Sequence, residues 1–391
     1  MKYNKGEWSE AYTFIKLIGD SKVYAADENL QKINRYYYIL KVFKDEIRRY
    51  YENDENEGIV KIVGCDGNII STLKSSTFAE ISNHALKSIK EGKGTTFEIP
   101  YLENFLNQLG MVKFKSSSKN KDDIKLEILD QYINQPKTLT FSIKSELGSP
   151  PTLLNASQST NFLFNIKGIN SEEVDALNKI SGRTELKDRF NSIFCGFQKG
   201  KYNITLDESN FKKVFFKNLR LIDSNLPVML AYILLYFYSH KQSSNLKLLT
   251  EKLIEANPLN LHDSEKELFY KKNILDFIKT IIFGMMPNSE WDGKYKVTGG
   301  LLTVKKDGEV LCHHVFYDEE SLSNYLYNHT ILESPSKSRH KYGLLFKKNN
   351  EYFFNLNLQI RFSHHKNWFD FTVEKKLIIY KVIGIFFKIS I

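Results

Sequence analysis

The sequence predicts an α/β protein with a core of mixed sheet flanked by helices over residues 1–205, a helical region over 206–290 and a β-rich C-terminal region over 291–391. Three observations carry this expectation. Runs with strand-like alternation intersperse with amphipathic helical patterns before residue 170. Helical patterns dominate from Glu172 to about Met286. Beyond Pro287 the chain turns to short β-type runs, Tyr295–Val304, Val310–Phe316 and Tyr352–Ile360, divided by turns at Gly299-Gly300, Asp307-Gly308 and Asn349-Asn350. At 391 residues, 42% hydrophobic and 26% charged, the chain has the make-up of about two or three folded units, which excludes disorder as its main state.

The first expected helix, Gly6 to about Gly19, places Trp8, Ala11, Tyr12, Ile15 and Ile18 at helical spacing, with Phe14 and Leu17 widening the apolar arc. Glu10 falls at the edge of that arc and Glu7 nearer its middle, so at least one carboxylate sits beside the buried side. Tyr36–Phe43 reads as a strand, followed by a charged stretch from Lys44 to Glu57, a strand around Gly58–Val63 and a helix over Phe78–Lys90. Residues 115–123 read as a solvated loop. Ile124–Tyr132 and Thr138–Ser145 form a hairpin about Asn134-Gln135-Pro136, and Asn161–Ile166 adds a strand. Val228–Tyr238 is far shorter than the roughly 20 residues of a membrane span, so a buried helix is expected. The apolar tail Leu377–Ile391 is interrupted by Lys381 and Lys388.

Lys and Arg number 55 against 46 Asp and Glu, a formal net charge of +9, which favours polyanionic partners, nucleic acid first. Cys65, Cys195 and Cys312 are far apart in sequence, which disfavours a disulfide framework or zinc finger and fits a reducing compartment. The N-terminus has no apolar stretch of the signal-peptide kind, and a cytoplasmic location is expected.

In Thr138–Ser145, alternation puts Leu139, Phe141 and Ile143 on one face and Thr140, Ser142 and Lys144 on the other. The preceding strand places Ile124, Leu126 and Ile128 on the face that Asp130 shares at its end. A carboxylate at Asp130 and the Lys144 ammonium are therefore expected to meet across the hairpin. Mg²⁺ takes one or two carboxylates and keeps several waters, and a lysine beside it can orient the attacking water or offset charge on a phosphate.

This arrangement resembles the PD-(D/E)XK nuclease superfamily, in which an acidic residue ends one strand and an acid-x-Lys triplet lies on the next; here the triplet is Ser142-Ile143-Lys144, with serine in the acidic place. The superfamily often has a glutamate on an early helix, which implies Glu10, with Glu7 or Glu127 as substitutes. The longer stretches Asn4 to Glu10, Tyr24 to Asn29, Phe141 to Gly148, Pro151 to Ser157 and Thr160-Asn161-Phe162 are similar to the HpaII family of type II restriction endonucleases. The likeness continues in Gly293-Lys294-Tyr295, Thr298-Gly299-Gly300, the basic loop Ser334 to His340 and Leu356 to Phe362. The resemblance covers residue 1 to about 362, and the stretch from Ser363 to Ile391 departs from it.

The resemblance implies a nuclease catalytic core over 1–205 and a Mg²⁺-dependent endonuclease that cuts double-stranded DNA at the palindrome CCGG, with a cognate cytosine DNA methyltransferase protecting the host. It implies Asp130, Ser142, Lys144 and Glu10 as catalytic residues, with Asp130, Glu10 and Glu7 as metal ligands. A palindromic site favours a homodimer on DNA. G·C pairs are read by Arg or Lys on guanine and by acids on cytosine, so Lys337, Arg339, Lys341, Gln359 and Arg361 are candidate base contacts, and Asn155 and Ser157 candidate phosphate or minor-groove contacts. His313-His314 and His364-His365 are not read as metal pairs, because adjacent strand residues point to opposite faces. A catalytically decayed sequence-specific DNA-binding protein and a repair-type endonuclease on the same core are the competing classes.

Overall fold

The structure, a computed structural model, describes residues 2–111, 122–130, 132–240 and 244–363. All of the expected loop over 115–123 except Asp122 and Asp123 lies outside the described residues, as do His364-His365 and the apolar tail. In chain order the elements begin with α1 (Lys5–Asp20), β1 (Lys22–Ala26), β2 (Lys32–Lys44), β3 (Arg49–Asp54), β4 (Ile59–Gly64), β5 (Ile69–Lys74), α2 (Ser75–Glu91), α3 (Pro100–Gln108), β6 (Ile124–Asp130) and β7 (Gln135–Ser145). There follow β8 (Thr152–Leu154), β9 (Asn161–Lys167), α4 (Ser171–Asn178), α5 (Glu185–Gln198), β10 (Asn203–Leu206), α6 (Val214–Ile222), α7 (Leu226–Ser239), α8 (Leu246–Ala256) and α9 (Asp263–Phe283). The last are β11 (Gly300–Val304), β12 (Val310–His314), α10 (Glu319–His329), β13 (Thr330–Leu332), α11 (Lys337–His340), β14 (Leu345–Lys348), β15 (Glu351–Asn357) and β16 (Ile360–Phe362).

The chain divides into two units, Met1–Pro151 with Tyr295–Tyr325 and Thr152–Lys294 with Leu326–Ile391. The boundary expected at 290/291 lies just ahead of the crossing at 294/295, and that expected at 205/206 lies inside the second unit, within β10.

In the first unit α1 forms because Asn4 and Glu7 build a reciprocal capping box and Trp8, Ala11, Ile15 and Ile18 make one buried stripe. Among the described residues a nine-stranded sheet runs in the order β1-β12-β11-β7-β6-β2-β3-β4-β5, and β1 also pairs with β2. That extra pairing closes a ring of six strands. It is possible because β2 is 13 residues long and uses one edge for β6 while its other edge serves β1 and then β3. Thr298-Gly299-Gly300 has a steric reason. A Cβ at Gly299 would strike the Phe141 ring, and Gly300, at φ +137°, has the His313 carbonyl where its own Cβ would be. Trp8, Phe14, Phe78, Leu126, Phe141 and Leu302 join one core that ties α1, α2, β6, β7 and β11 together.

In the second unit a four-stranded sheet, β10-β9-β15-β14, turns Phe162, Phe164 and Phe354 toward the helices; Phe354 meets Phe190 of α5 at 5.2 Å and Phe162 meets Phe216 of α6 at 4.6 Å between ring centroids. A small sheet, β13-β16-β8, lies in the same unit. The run Val228–Tyr238 falls in α7, which is largely buried, and no single helix among the described residues is long and apolar enough to cross a membrane.

Several expectations change in detail. The charged stretch after Lys44 contains β3, whose charges are answered across the ladder, Lys61 Nζ meeting Asp54 at 2.7 Å. The strand expected from Tyr295 begins only at Gly300. The β-rich C-terminal region holds α10, and the basic loop winds into α11 with Ser336 as its cap. The fold class is mixed α/β.

Candidate active site

The β6–β7 register decides which carboxylate meets Lys144. Ile124 lies opposite Phe141 and Asp130 opposite Gln135. Asp130 is therefore nine residues along the ladder from Lys144, about 30 Å at strand rise, and the expected meeting of the two does not occur. The physical reason is the antiparallel register: the residue next to the turn at Asn134 faces the start of β7, whereas Lys144 lies near its end.

Asp123, one residue before β6, takes that place. Its amide donates to the Phe141 carbonyl at 2.9 Å. Its Oδ2 accepts from the Ile143 amide at 2.6 Å and from Ser142 Oγ at 3.1 Å, and lies 3.7 Å from Lys144 Nζ. Lys144 Nζ donates to Ser142 Oγ at 2.7 Å and to the Ile143 carbonyl at 2.9 Å. Ser142 thus fixes the lysine head and touches the carboxylate.

Glu10 joins this group through α1. Ser145 Oγ donates to Ser9 Oγ at 2.8 Å, so the residues next to each, Lys144 and Glu10, come to one place. Burial first, and then the Asp123 charge, push the Glu10 carboxyl up to about 8, while Lys144 and Lys44 pull it down. Two carboxylates share a small pocket of about 160 Å³, also lined by Lys44, Asp45, Glu46, Asp122 and Lys125. Lys125 meets Asp45 at 2.9 Å, Lys44 meets Glu46 at 3.2 Å and Lys144 lies 3.7 Å from Asp123, so the carboxylates of Glu10, Asp45, Glu46, Asp122 and Asp123 outnumber the lysines around them.

That excess is the chemistry of a cation site. Among the described residues no three His, Cys, Asp or Glu side chains are placed to hold a metal. Two carboxylates do suit Mg²⁺, which keeps several of its waters. Glu7 Oε2 accepts from the Asn4 amide at 2.9 Å in the capping box, and the Glu7 charge also pushes the Glu10 carboxyl up. Glu127 pairs instead with Lys41 at 2.8 Å.

Asp130 belongs to a different cluster. Tyr317 donates to its Oδ2 at 2.5 Å and the Tyr132 amide to its Oδ1 at 3.0 Å, and the Tyr317 hydroxyl holds the carboxyl below its usual range. His314 stacks on Tyr317 at 4.7 Å, whereas His313 stacks on Tyr325 at 4.7 Å and meets the Asp27 carbonyl at 2.9 Å. The two adjacent histidines thus have separate partners, and burial lowers both to about 4.

The candidate DNA contacts fall in the second unit. Ile360 pairs with Leu154, so Asn155 and Gln359 leave the same end of the small sheet. Asn357 Nδ2 donates to the Ser157 carbonyl and to Asn161 Oδ1, both at 2.7 Å, and Asn161 Nδ2 donates to the His340 carbonyl at 2.8 Å. This relay fastens the loop after β8 to the basic α11 segment. Ser157 caps a short 3-10 turn, Lys337 pairs with Glu185, and Arg361 Nε meets Glu333 at 2.7 Å. Arg339, Lys341 and Asn155 are exposed, and Gln359 is buried with its side-chain carbonyl oxygen unpartnered.

Comparison with known proteins places this chain among restriction enzymes. The family model described as HpaII restriction endonuclease matches residues 4–362. Type II restriction enzyme HpaII of Haemophilus parainfluenzae is 38% identical over 362 residues, which cover 92% of this chain and 98% of that protein. No solved structure matches.

Proposed function

Because this chain belongs to the HpaII restriction endonuclease family and is a type II site-specific deoxyribonuclease, we propose that it cuts double-stranded DNA at CCGG by Mg²⁺-dependent phosphodiester hydrolysis at the cluster of Glu10, Asp123, Ser142 and Lys144. The observation that supports this reading best is the Asp123 carboxylate held against Ser142, Ile143 and Lys144 with Glu10 beside it. A carboxylate at a strand end, a Ser-x-Lys on the next strand and a glutamate on a packed helix fit a PD-(D/E)XK-type core, with Asp123 in the role expected of Asp130.

Asp123 and Glu10 would hold the metal, and their charge excess is what a divalent ion offsets. Mg²⁺ bound there would supply positive charge against the phosphodiester. Lys144, its head fixed by Ser142 Oγ and the Ile143 carbonyl, orients the attacking water and faces the charge that grows on the phosphate. Arg339 and Lys341 read or grip the DNA from their exposed segment, with Gln359 and Asn155 beside the same small sheet and Lys337, Arg361 and Ser157 as supporting residues. The palindrome favours a homodimer on DNA, the cell needs a cognate cytosine methyltransferase, and a cytoplasmic location suits both.

The test is incubation of the purified protein with unmethylated plasmid and Mg²⁺, with EDTA and Lys144→Ala controls and sequencing of the fragment ends. Discrete fragments ending at CCGG, lost in both controls, are expected. Intact DNA bound site-specifically would instead identify a decayed binder, and cutting without sequence preference a repair-type nuclease.

A further inference from the structure

We propose that Lys44 is a second phosphate-contacting lysine of this active site, placed on the opposite side of Asp123 from Lys144; the assignment rests on the pocket proposed above. In the sheet β6 lies between β7 and β2, and Asp123 immediately precedes β6. Phe43 of β2 pairs with Lys125 and Phe141 of β7 pairs with Ile124, so the end of β2 and the Ser142–Lys144 segment flank the same end of β6. The two lysines thus stand on the strands either side of β6 at its Asp123 end, Lys44 on the face of Ile124 and Phe141 and Lys144 on the face of Ser142.

Burial sharpens the point. Lys44 has the same strand parity as Val42, a core residue under α1, and Lys44 is itself only 7% exposed. A lysine is rarely buried without charged company. Lys44 Nζ meets Glu46 at 3.2 Å, and the side chain lines the pocket of Glu10 and Asp123. A phosphodiester entering there brings negative charge that grows on its non-bridging oxygens as the reaction proceeds.

In that reaction a water oxygen bonds to phosphorus as the phosphorus–ester oxygen bond breaks. One proton of the water passes to solvent and the departing ester oxygen takes one up. Lys44 keeps its protons and supplies charge and hydrogen bonds to a non-bridging oxygen.

The experiment is single-turnover cleavage of a CCGG duplex, with each phosphorothioate diastereomer at the scissile phosphate, by the wild type, Lys44→Met, Lys44→Arg and, as a control on the same strand, Lys41→Met. Lys44→Met is expected to cut about 100-fold slower while binding the duplex in Ca²⁺ within about threefold of wild type. The diastereomer that slows the wild type should slow Lys44→Met no further. Lys44→Arg should regain about tenfold of the loss, and Lys41→Met should cut at the wild-type rate. If Lys44→Met does not fold, Lys44→Arg must still show a changed diastereomer preference. Wild-type cutting by Lys44→Met, or a slow variant that retains the full phosphorothioate effect, overturns the assignment. A Lys144→Ala protein that still cuts would overturn the pocket itself, so the two failures are separable.

Discussion

The pocket of the first unit and the basic edge of the second handle charge in opposite ways. Around Glu10 and Asp123 carboxylates outnumber cations, and Glu10, Asp123, Ser142 and Lys144 are half-buried or buried and fixed by a strand ladder or by a helix locked to one. Around Arg339 and Lys341 the cations are exposed on a four-residue helix and its cap, held in place by the asparagine relay through Asn161 and Asn357. Bond cleavage needs reacting groups kept within fractions of an ångström, which a ladder provides. Base reading needs donors that reach into a groove, which a loop presents.

The largest effect expected from this division is on cutting. Lys144→Ala, Asp123→Asn and Glu10→Gln should each slow cleavage by about 1,000-fold or more and leave Ca²⁺-supported binding to CCGG intact; loss of binding in parallel would show that the two regions are not separate in function. Asp130→Asn should leave measurable cutting, because its partners are Tyr317 and the Tyr132 amide. Next in size, Arg339→Ala should cost about 1–3 kcal/mol of binding and relax the preference at one base pair, while single-turnover cutting of bound DNA stays near wild type; unchanged discrimination in a competition assay would remove Arg339 from the readers.

A pH effect of about 3 kcal/mol per histidine is expected from His313 and His314 of the first unit. His313 and His314 stay neutral in the fold, with pKa values lowered to about 4 by burial, whereas the unfolded chain takes up their protons near the ordinary histidine value. Stability is therefore full above that value and is lost as pH falls toward 4. Urea midpoints across this range should show the slope, and His313→Gln or His314→Gln should flatten it. Smallest of all, Lys337→Ala should weaken DNA binding by no more than about 0.5 kcal/mol, because Lys337 is paired with Glu185.

Much of this was legible in the sequence where a single period governs. The α1 stripe, the alternation that turns Ser142 and Lys144 away from Phe141 and Ile143, and the buried run in α7 follow from apolar spacing. Register was not legible. The turn was expected about Asn134-Gln135-Pro136, whereas β7 already begins at Gln135. Composition placed Asp123 in a solvated loop, although Asp122-Asp123 stands directly before the apolar alternation that opens at Ile124. Only a hairpin centred between residues 132 and 133, ahead of the expected turn, sets Asp123 opposite Ser142. Lys44 opens what reads as a charged stretch, yet it closes β2 and is buried. The pairing of Lys337 and Arg361 with acids depends on contacts remote in sequence, which no local pattern records.

Closure of the six-strand ring bears on how the molecule breathes. An open sheet unzips from either margin, and β1 would have been one of them; its second partner, β2, takes that margin away. Unzipping then starts from β5, where Ile69 and Ile70 are exposed, and must pass through β4 and β3 before it reaches β2. The amides of β6 and of the second half of β7, which set Asp123 against Lys144, are therefore expected to exchange more slowly than those of β5, so that opening at the sheet margin leaves the spacing of the cutting groups intact.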